Sequence, residues 1–156
     1  GNKSEISVGY CTLYGDTNGG LGLIGDLYKT EVFELSRHIN ASAGREIIPQ
    51  AIIDKPPSAE LAPGQKDEDS LPPYAMLDEI LKILIEGQRL STQEYTAACA
   101  FVGQLQTTET GRAMVAKVQR LIHRSEYKRR QAAPILRLRP RAFGTGRQMP
   151  IAAYYP

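Results

Sequence analysis

The sequence predicts a helix-dominated chain, and three observations carry that prediction. Apolar residues recur at helical spacing through residues 28–39, 74–86 and 108–131. Ser91-Thr92-Gln93-Glu94 has the form of a capping box, in which a serine oxygen takes an orphan N–H and the glutamate reaches back. Pro134, Pro140 and Pro150 then rule out a further regular helix in the tail. At 156 residues the chain fits one domain, large enough to bury about two thirds of its unfolded surface.

Taken in order, residues 4–14 read as a helix through Ile6, Val8, Tyr10, Leu13 and Tyr14. It opens on Gly1-Asn2-Lys3-Ser4-Glu5 without an evident cap, as if already under way. The chain is therefore expected to be the C-terminal part of a larger enzyme. A loop rich in Gly, Asp and Asn follows from Gly15 to Asp26. Within it, Gly20-Leu21-Gly22-Leu23-Ile24-Gly25 spells G-x-G-x-x-G. The dinucleotide fingerprint needs a buried strand before those glycines, and here a helix precedes them. The fingerprint is rejected, and the glycines are read as a tight loop that lets the backbone approach a ligand.

A second helix is expected from Tyr28 to Ile39, on Val32, Phe33, Leu35 and Ile39, ended by Asn40 to Gly44. Ile47 to Ile53 reads as extended, with Pro49 excluding a central strand. From Lys55 to Pro73 the chain is rich in proline, glycine and charge, the composition of a lid that orders over a charged substrate. Tyr74 to Glu86 is a helix whose face of Met76, Leu77, Ile80, Leu81, Ile83, Leu84 and Ile85 serves a core or an interface. Another runs from the capping box to Gln104. The last runs from Thr108 to Gln131 on Met114, Val115, Val118, Leu121 and Ile122. Residues 134–156 form an extended basic tail.

Net charge is only +2, yet its distribution is lopsided. Between 60 and 79, Glu60, Asp67, Glu68, Asp69, Asp78 and Glu79 face a lone Lys66; between 112 and 147 a single acid, Glu126, stands among many lysines and arginines. Cations in the last helical turn suit the helix dipole. That account does not reach Arg137, Arg139, Arg141 and Arg147, beyond the proline, and such a region points to a phosphate-bearing partner. Few aromatics interleave with the basic residues, so stacking on bases is unsupported and nucleic acid is excluded as partner. No apolar run reaches the roughly 20 residues of a membrane span, and no leader is expected. Cys11 and Cys99 lie far apart, with neither metal nor disulfide spacing, which fits a reduced cytoplasmic setting. His38 and His123 are isolated and read as structural. Glu5, in the first helix, suits its dipole. Lys29 follows the glycine-rich loop at a helix start, where a lysine meets phosphate oxygens as a point charge. A different class of function, a helical docking or oligomerisation module, rests on the apolar face from Met76 to Ile85.

Seven segments in order carry a resemblance: Gly-Asn-Lys-Ser-Glu (1–5), Leu-Tyr-Gly-Asp (13–16), Asp-Leu-Tyr-Lys-Thr (26–30), Lys-Pro-Pro-Ser-Ala-Glu-Leu (55–61), Gln-Lys-Asp-Glu-Asp-Ser-Leu-Pro-Pro-Tyr (65–74), Glu-Tyr-Lys-Arg-Arg-Gln-Ala-Ala-Pro (126–134) and the ending Arg-Ala-Phe-Gly (141–144) with Met-Pro-Ile (149–151). Together they resemble the C-terminal part of the synthetase domain of bacterial glutamine-dependent NAD synthetases. The resemblance implies a parent α/β fold of the adenine nucleotide α-hydrolase type, a parallel sheet with flanking helices, of which residues 1–156 form a mostly α-helical portion. It implies a ligase of NAD biosynthesis that uses ATP and magnesium, in a homo-oligomer. Deamido-NAD is adenylated, and nitrogen arrives as ammonia or from glutamine through a glutaminase domain. By the same resemblance Glu5 holds magnesium and deamido-NAD, as do Tyr10, Cys11, Thr12, Leu13, Asp16 and Lys128 for the dinucleotide. Lys29 and Ser58 hold ATP phosphates. The family's Ser-Gly-Gly-x-Asp-Ser pyrophosphate loop, with its second magnesium-binding acid, does not occur in these residues. The chain by itself is therefore expected to be inactive.

Overall fold

The core grows outward from one helix. In the computed structural model, which describes residues 1–58 and 62–151, the elements are α1 (Lys3–Val8), α2 (Lys29–Ala43), α3 (Gln50–Asp54), α4 (Tyr74–Leu81), α5 (Thr92–Leu105), α6 (Glu109–Arg124) and α7 (Glu126–Arg129). Ala59, Glu60 and Leu61 of the expected lid, and residues 152–156 of the expected tail, lie outside the described residues. Helix α4 packs against α1, α2, α5 and α6. Its Leu77, Ile80 and Leu81, with Ile85 beyond, are fully buried. Each such side chain is worth about 1.5–3 kcal/mol relative to exposure. Val102 of α5 and Val115, Val118 and Ile122 of α6 close the other side. Of the two uses expected for this apolar face, a core or an interface, the core takes it.

Helix α4 continues through a π-helical turn, Lys82–Glu86. The wider turn leaves Glu86 buried under α1, where Oε1 accepts hydrogen bonds from Lys3 Nζ at 3.1 Å, Tyr28 Oη at 2.8 Å and Arg139 Nε at 2.7 Å. Such turns are rare and mark a special demand on one side chain. Lys3, itself fully buried, also donates to Asp26 Oδ1 at 2.9 Å and to the carbonyl of Arg141 at 2.8 Å. One ammonium thus joins α1, the glycine-rich loop, the π-turn and the tail.

Four local expectations change. Helix α1 does begin with a cap: the Asn2 side chain accepts the Glu5 N–H at 3.0 Å, and Glu5 Oε2 accepts the Asn2 N–H at 3.0 Å. Asn-x-x-Glu is a capping box with asparagine in place of serine. Helix α1 also ends at Val8 rather than at residue 14, because Gly9 turns left-handed at φ 77°. The Ile47–Ile53 segment is not all extended. Asn40 Oδ1 accepts the N–H groups of Ile47 and Ile48, and Pro49 then starts α3, its fixed φ suiting a helix start. The last long helix breaks at Ser125 into α6 and α7. Among the described residues no strand forms; two isolated bridges occur, Gly22 with Ile135 and Phe143 with Arg147, both parallel.

The first bridge explains Gly22 and Gly25. Gly22 N–H donates to the Pro134 carbonyl at 2.8 Å, and a Cβ at Gly25 would lie 2.4 Å from Ile135 Cγ2. The backbone is approached by the chain's own tail instead of a ligand. The tail's arginines have internal partners too. Arg139 pairs with Glu31, Glu86 and Glu94, and Arg141 donates to the Ile85 carbonyl. Arg139 and Arg141 thus tie the tail to helices, and for these two residues that corrects the reading as a phosphate-facing surface. No helix of the described residues is long and apolar enough to cross a membrane.

Candidate functional site

The Tyr28 side chain does not cap helix α2; Glu31 of the helix accepts the Tyr28 N–H at 2.8 Å, Ser4 Oγ of α1 accepts the Lys29 N–H at 2.9 Å, and α4 supplies the next acceptor. Asp78, buried, accepts the Thr30 N–H at 2.9 Å and the Thr30 hydroxyl at 2.8 Å, while its other oxygen takes the Ser4 hydroxyl. A carboxylate there satisfies orphan donors and faces the positive end of the helix. Burial nevertheless pushes its pKa up, the hydrogen bonds from Ser4 and Thr30 opposing. This clamp fixes the start of α2 against α1 and so sets Lys29 beside Glu5. Lys29 Nζ donates to Glu5 Oε1 at 2.9 Å, both side chains about one-fifth exposed. The ammonium also lies 5.4 Å from the centre of the Tyr74 ring.

Beyond Gly9 the chain leaves the helix, so Tyr10, Cys11, Thr12 and Leu13 stand on a loop and not on a helix face. The Asp16 carboxylate accepts the Thr12 N–H at 2.7 Å, and Tyr14 adopts φ 60°. From α7, Lys128 Nζ donates to the carbonyls of Gly9 at 2.7 Å and Cys11 at 2.8 Å. The loop is therefore held from both sides. A Cβ at Gly9 would sit 2.2 Å from Ser125 Oγ, in a left-handed conformation besides. Gly9→Ala is expected to destabilise the chain by at least about 1–2 kcal/mol, the left-handed penalty alone, and to loosen this loop. Chemical denaturation of the two proteins checks it, and an unchanged midpoint contradicts it.

All nine residues expected at the site line one cavity of about 740 Å³: Glu5, Tyr10, Cys11, Thr12, Leu13, Asp16, Lys29, Ser58 and Lys128. Gly9, Gln65 and Asp67 complete its wall. The segment 62–73 reaches over it and is tied down. Tyr10 and Ser70 share a hydroxyl hydrogen bond, Asp67 N–H donates to the Pro57 carbonyl at 3.0 Å, and Lys117 donates to the Ser70 carbonyl. Tyr74 Oη donates to Asp67 Oδ2 at 2.7 Å. Burial, then that hydrogen bond, drives the tyrosine pKa far up, so it remains a donor. Asp67 Oδ1, though buried, has no hydrogen-bond partner among the described residues. Two lysines and three carboxylates thus share one wall. Cys11, a free thiol, has its pKa raised by burial, with Lys128 opposing.

The NAD synthase family model matches residues 1–132. The chain belongs to the NAD synthase family. A glutamine-dependent NAD(+) synthetase of Synechocystis is 53% identical over 157 residues, covering 100% of this chain and 26% of the relative. One of Rhodobacter capsulatus is 49% identical, covering 97% and 27%. The solved glutamine-dependent NAD+ synthetase of Acinetobacter baumannii, in complex with ADP, is 40% identical over 97% of this chain and 24% of its own, at a TM-score of 0.38. The chain spans about a quarter of the length of the curated relatives it matches. In this family member, sequence reasoning quoted Gln65 and Asp67 inside a motif but gave neither a role. An aspartate before the proline pair and tyrosine of 72–74 was the available signal, since Tyr74 needs a buried acceptor.

Proposed function

We propose that the chain contributes the cation-bearing half of the ligase site of a glutamine-dependent NAD synthetase. The reaction has two steps. The nicotinate carboxylate of deamido-NAD attacks the α-phosphorus of ATP and releases pyrophosphate. Ammonia, supplied as such or from glutamine by another domain, then displaces AMP and gives the amide of NAD. The observation that carries this reading is the gathering of nine residues, Lys29 and Lys128 among them, around a single cavity.

Within the reading, Lys29 and Ser58 meet the ATP phosphates, and the lysine charge answers the negative charge that grows on the departing pyrophosphate. The 10–16 loop, with Lys128, seats the deamido-NAD. Magnesium fits the donor set in one particular way. No group of three or more His, Cys, Asp or Glu side chains able to hold a metal occurs among the described residues. A magnesium ion shared with substrate phosphates needs only one or two protein carboxylates. Glu5 is the residue that would hold it, and the ion, when bound, neutralises phosphate charge. The exposed Leu21, Leu23, Leu136 and Leu138, beside that pairing, support a surface covered by more polypeptide or a second copy.

The test is reconstitution. The 156-residue chain, given deamido-NAD, ATP, magnesium and ammonium, is expected to yield no NAD, whereas joined to a synthetase segment that carries the pyrophosphate loop it does. Turnover by the chain alone, or none by the joined protein, refutes the reading.

A further inference from the structure

A second cavity, of about 360 Å³, lies on the other side of α1 and α7, lined in part by Ile6, Glu126, Arg129, Arg130, Phe143 and Arg147. Its charges do not balance. Glu126 is the carboxylate shared by three guanidinium groups. Its Oε2 takes Arg129 Nη2 at 2.9 Å and faces Arg147 Nη1 at 3.6 Å, and its Oε1 faces Arg130 Nε at 3.4 Å. Three positive charges against one negative leave the lining at about +2 by formal count. Arg129 is fully engaged elsewhere, donating to the carbonyls of Ser7 at 2.8 Å and Ile122. Arg147 is not. Its side chain is 6% exposed, and its Nη1 makes no hydrogen bond among the described residues. Burial, then the like charge of Arg129, pulls its pKa down to about 10. A buried guanidinium donor without an acceptor is costly and is seldom left so.

We infer that this cavity is an oxyanion site that binds a phosphate group, held by Arg147 and Arg130 with Thr145 and Gln148 at its wall. Phosphate suits it better than a single carboxylate does. It carries up to two negative charges to match the surplus, and its oxygens accept several N–H groups from guanidinium forks. The Phe143 ring, 5.9 Å from the Arg147 guanidinium, holds that side chain in place from beneath. Arg129, at the wall of this cavity, donates to the Ile6 carbonyl of α1, and Lys128, at the wall of the larger one, donates to the Gly9 carbonyl, so consecutive residues of α7 line the two cavities.

Isothermal titration of the 156-residue chain with inorganic phosphate, at constant ionic strength against chloride, tests this. One phosphate is expected to bind. Lys29→Ala, in the larger cavity, leaves that binding intact, which separates this site from the proposed ATP site. Arg147→Ala weakens it about tenfold or more, the scale of one charge-assisted hydrogen bond. Gln148→Glu supplies a built-in carboxylate at the wall and is expected both to abolish phosphate binding and to raise the melting temperature, so the test survives an unstable Arg147→Ala. Phosphate binding that persists in both variants, disappears in Lys29→Ala, or is equalled by acetate overturns the inference.

Discussion

Lys3→Met is expected to cost about 3–5 kcal/mol of stability, the usual result of removing one partner from a buried ion pair. The side chain fits the same space, so the loss is electrostatic. Asp26 and Glu86, both buried, lose the ammonium that lies 2.9 and 3.1 Å from them, and the Arg141 carbonyl loses its donor. Arg139 remains beside Glu86, and the Leu138 and Arg139 N–H groups remain on Asp26 Oδ2, but nothing replaces the donor at Oδ1. Against a total of about 5–15 kcal/mol for a domain this is a large fraction. Equilibrium urea unfolding followed by circular dichroism measures it. Lys82→Met offers the contrast: its pair with Glu79 is partly exposed and worth about 0–1 kcal/mol. Equal midpoints for the two variants would show that the buried network stabilises nothing.

The second large effect concerns turnover. In a polypeptide that carries both halves of the synthetase site, Lys29→Ala is expected to lower kcat roughly 10²–10³-fold, the penalty for deleting one donor aimed at developing charge. Glu5 loses its partner in the same variant, yet both side chains are partly exposed and the stability change stays small. Lys29→Arg restores only part of the rate, since a planar fork does not reproduce a compact ammonium. Steady-state kinetics with ammonium as nitrogen donor separates kcat from KM. A parental kcat in Lys29→Ala would remove this residue from the phosphate-binding role.

Sequence reasoning reached the helices through periodicity, and α4, α5 and the start of α6 follow it closely. It failed where a single residue decides against the local pattern. Gly9 ends α1 five residues before the apolar pattern does, and Ser125 interrupts a basic helix whose composition gives no warning. The nine residues that line the cavity came from the family resemblance of the motifs that carry them, not from spacing or composition. The partners of the tail arginines were not legible, because Glu31, Glu86 and Glu94 stand far from Arg139 in the chain and only folding brings them near. Charge counted along a sequence cannot separate a solvated surface from an internal cross-link. The orphaned Asp67 Oδ1 was likewise invisible, since nothing in a string of acids says which one is buried.

The three partners of Lys3 lie 23, 83 and 138 positions further along the polypeptide. During synthesis that ammonium cannot find its complete environment until nearly all of this stretch has left the ribosome. Early helices must therefore wait, partly assembled, for the tail to return and lock them. Such long-range closure slows folding and lengthens the time in which sticky surfaces are on view. A stop codon before residue 141 would on this account yield a product that cells degrade, however intact its helices.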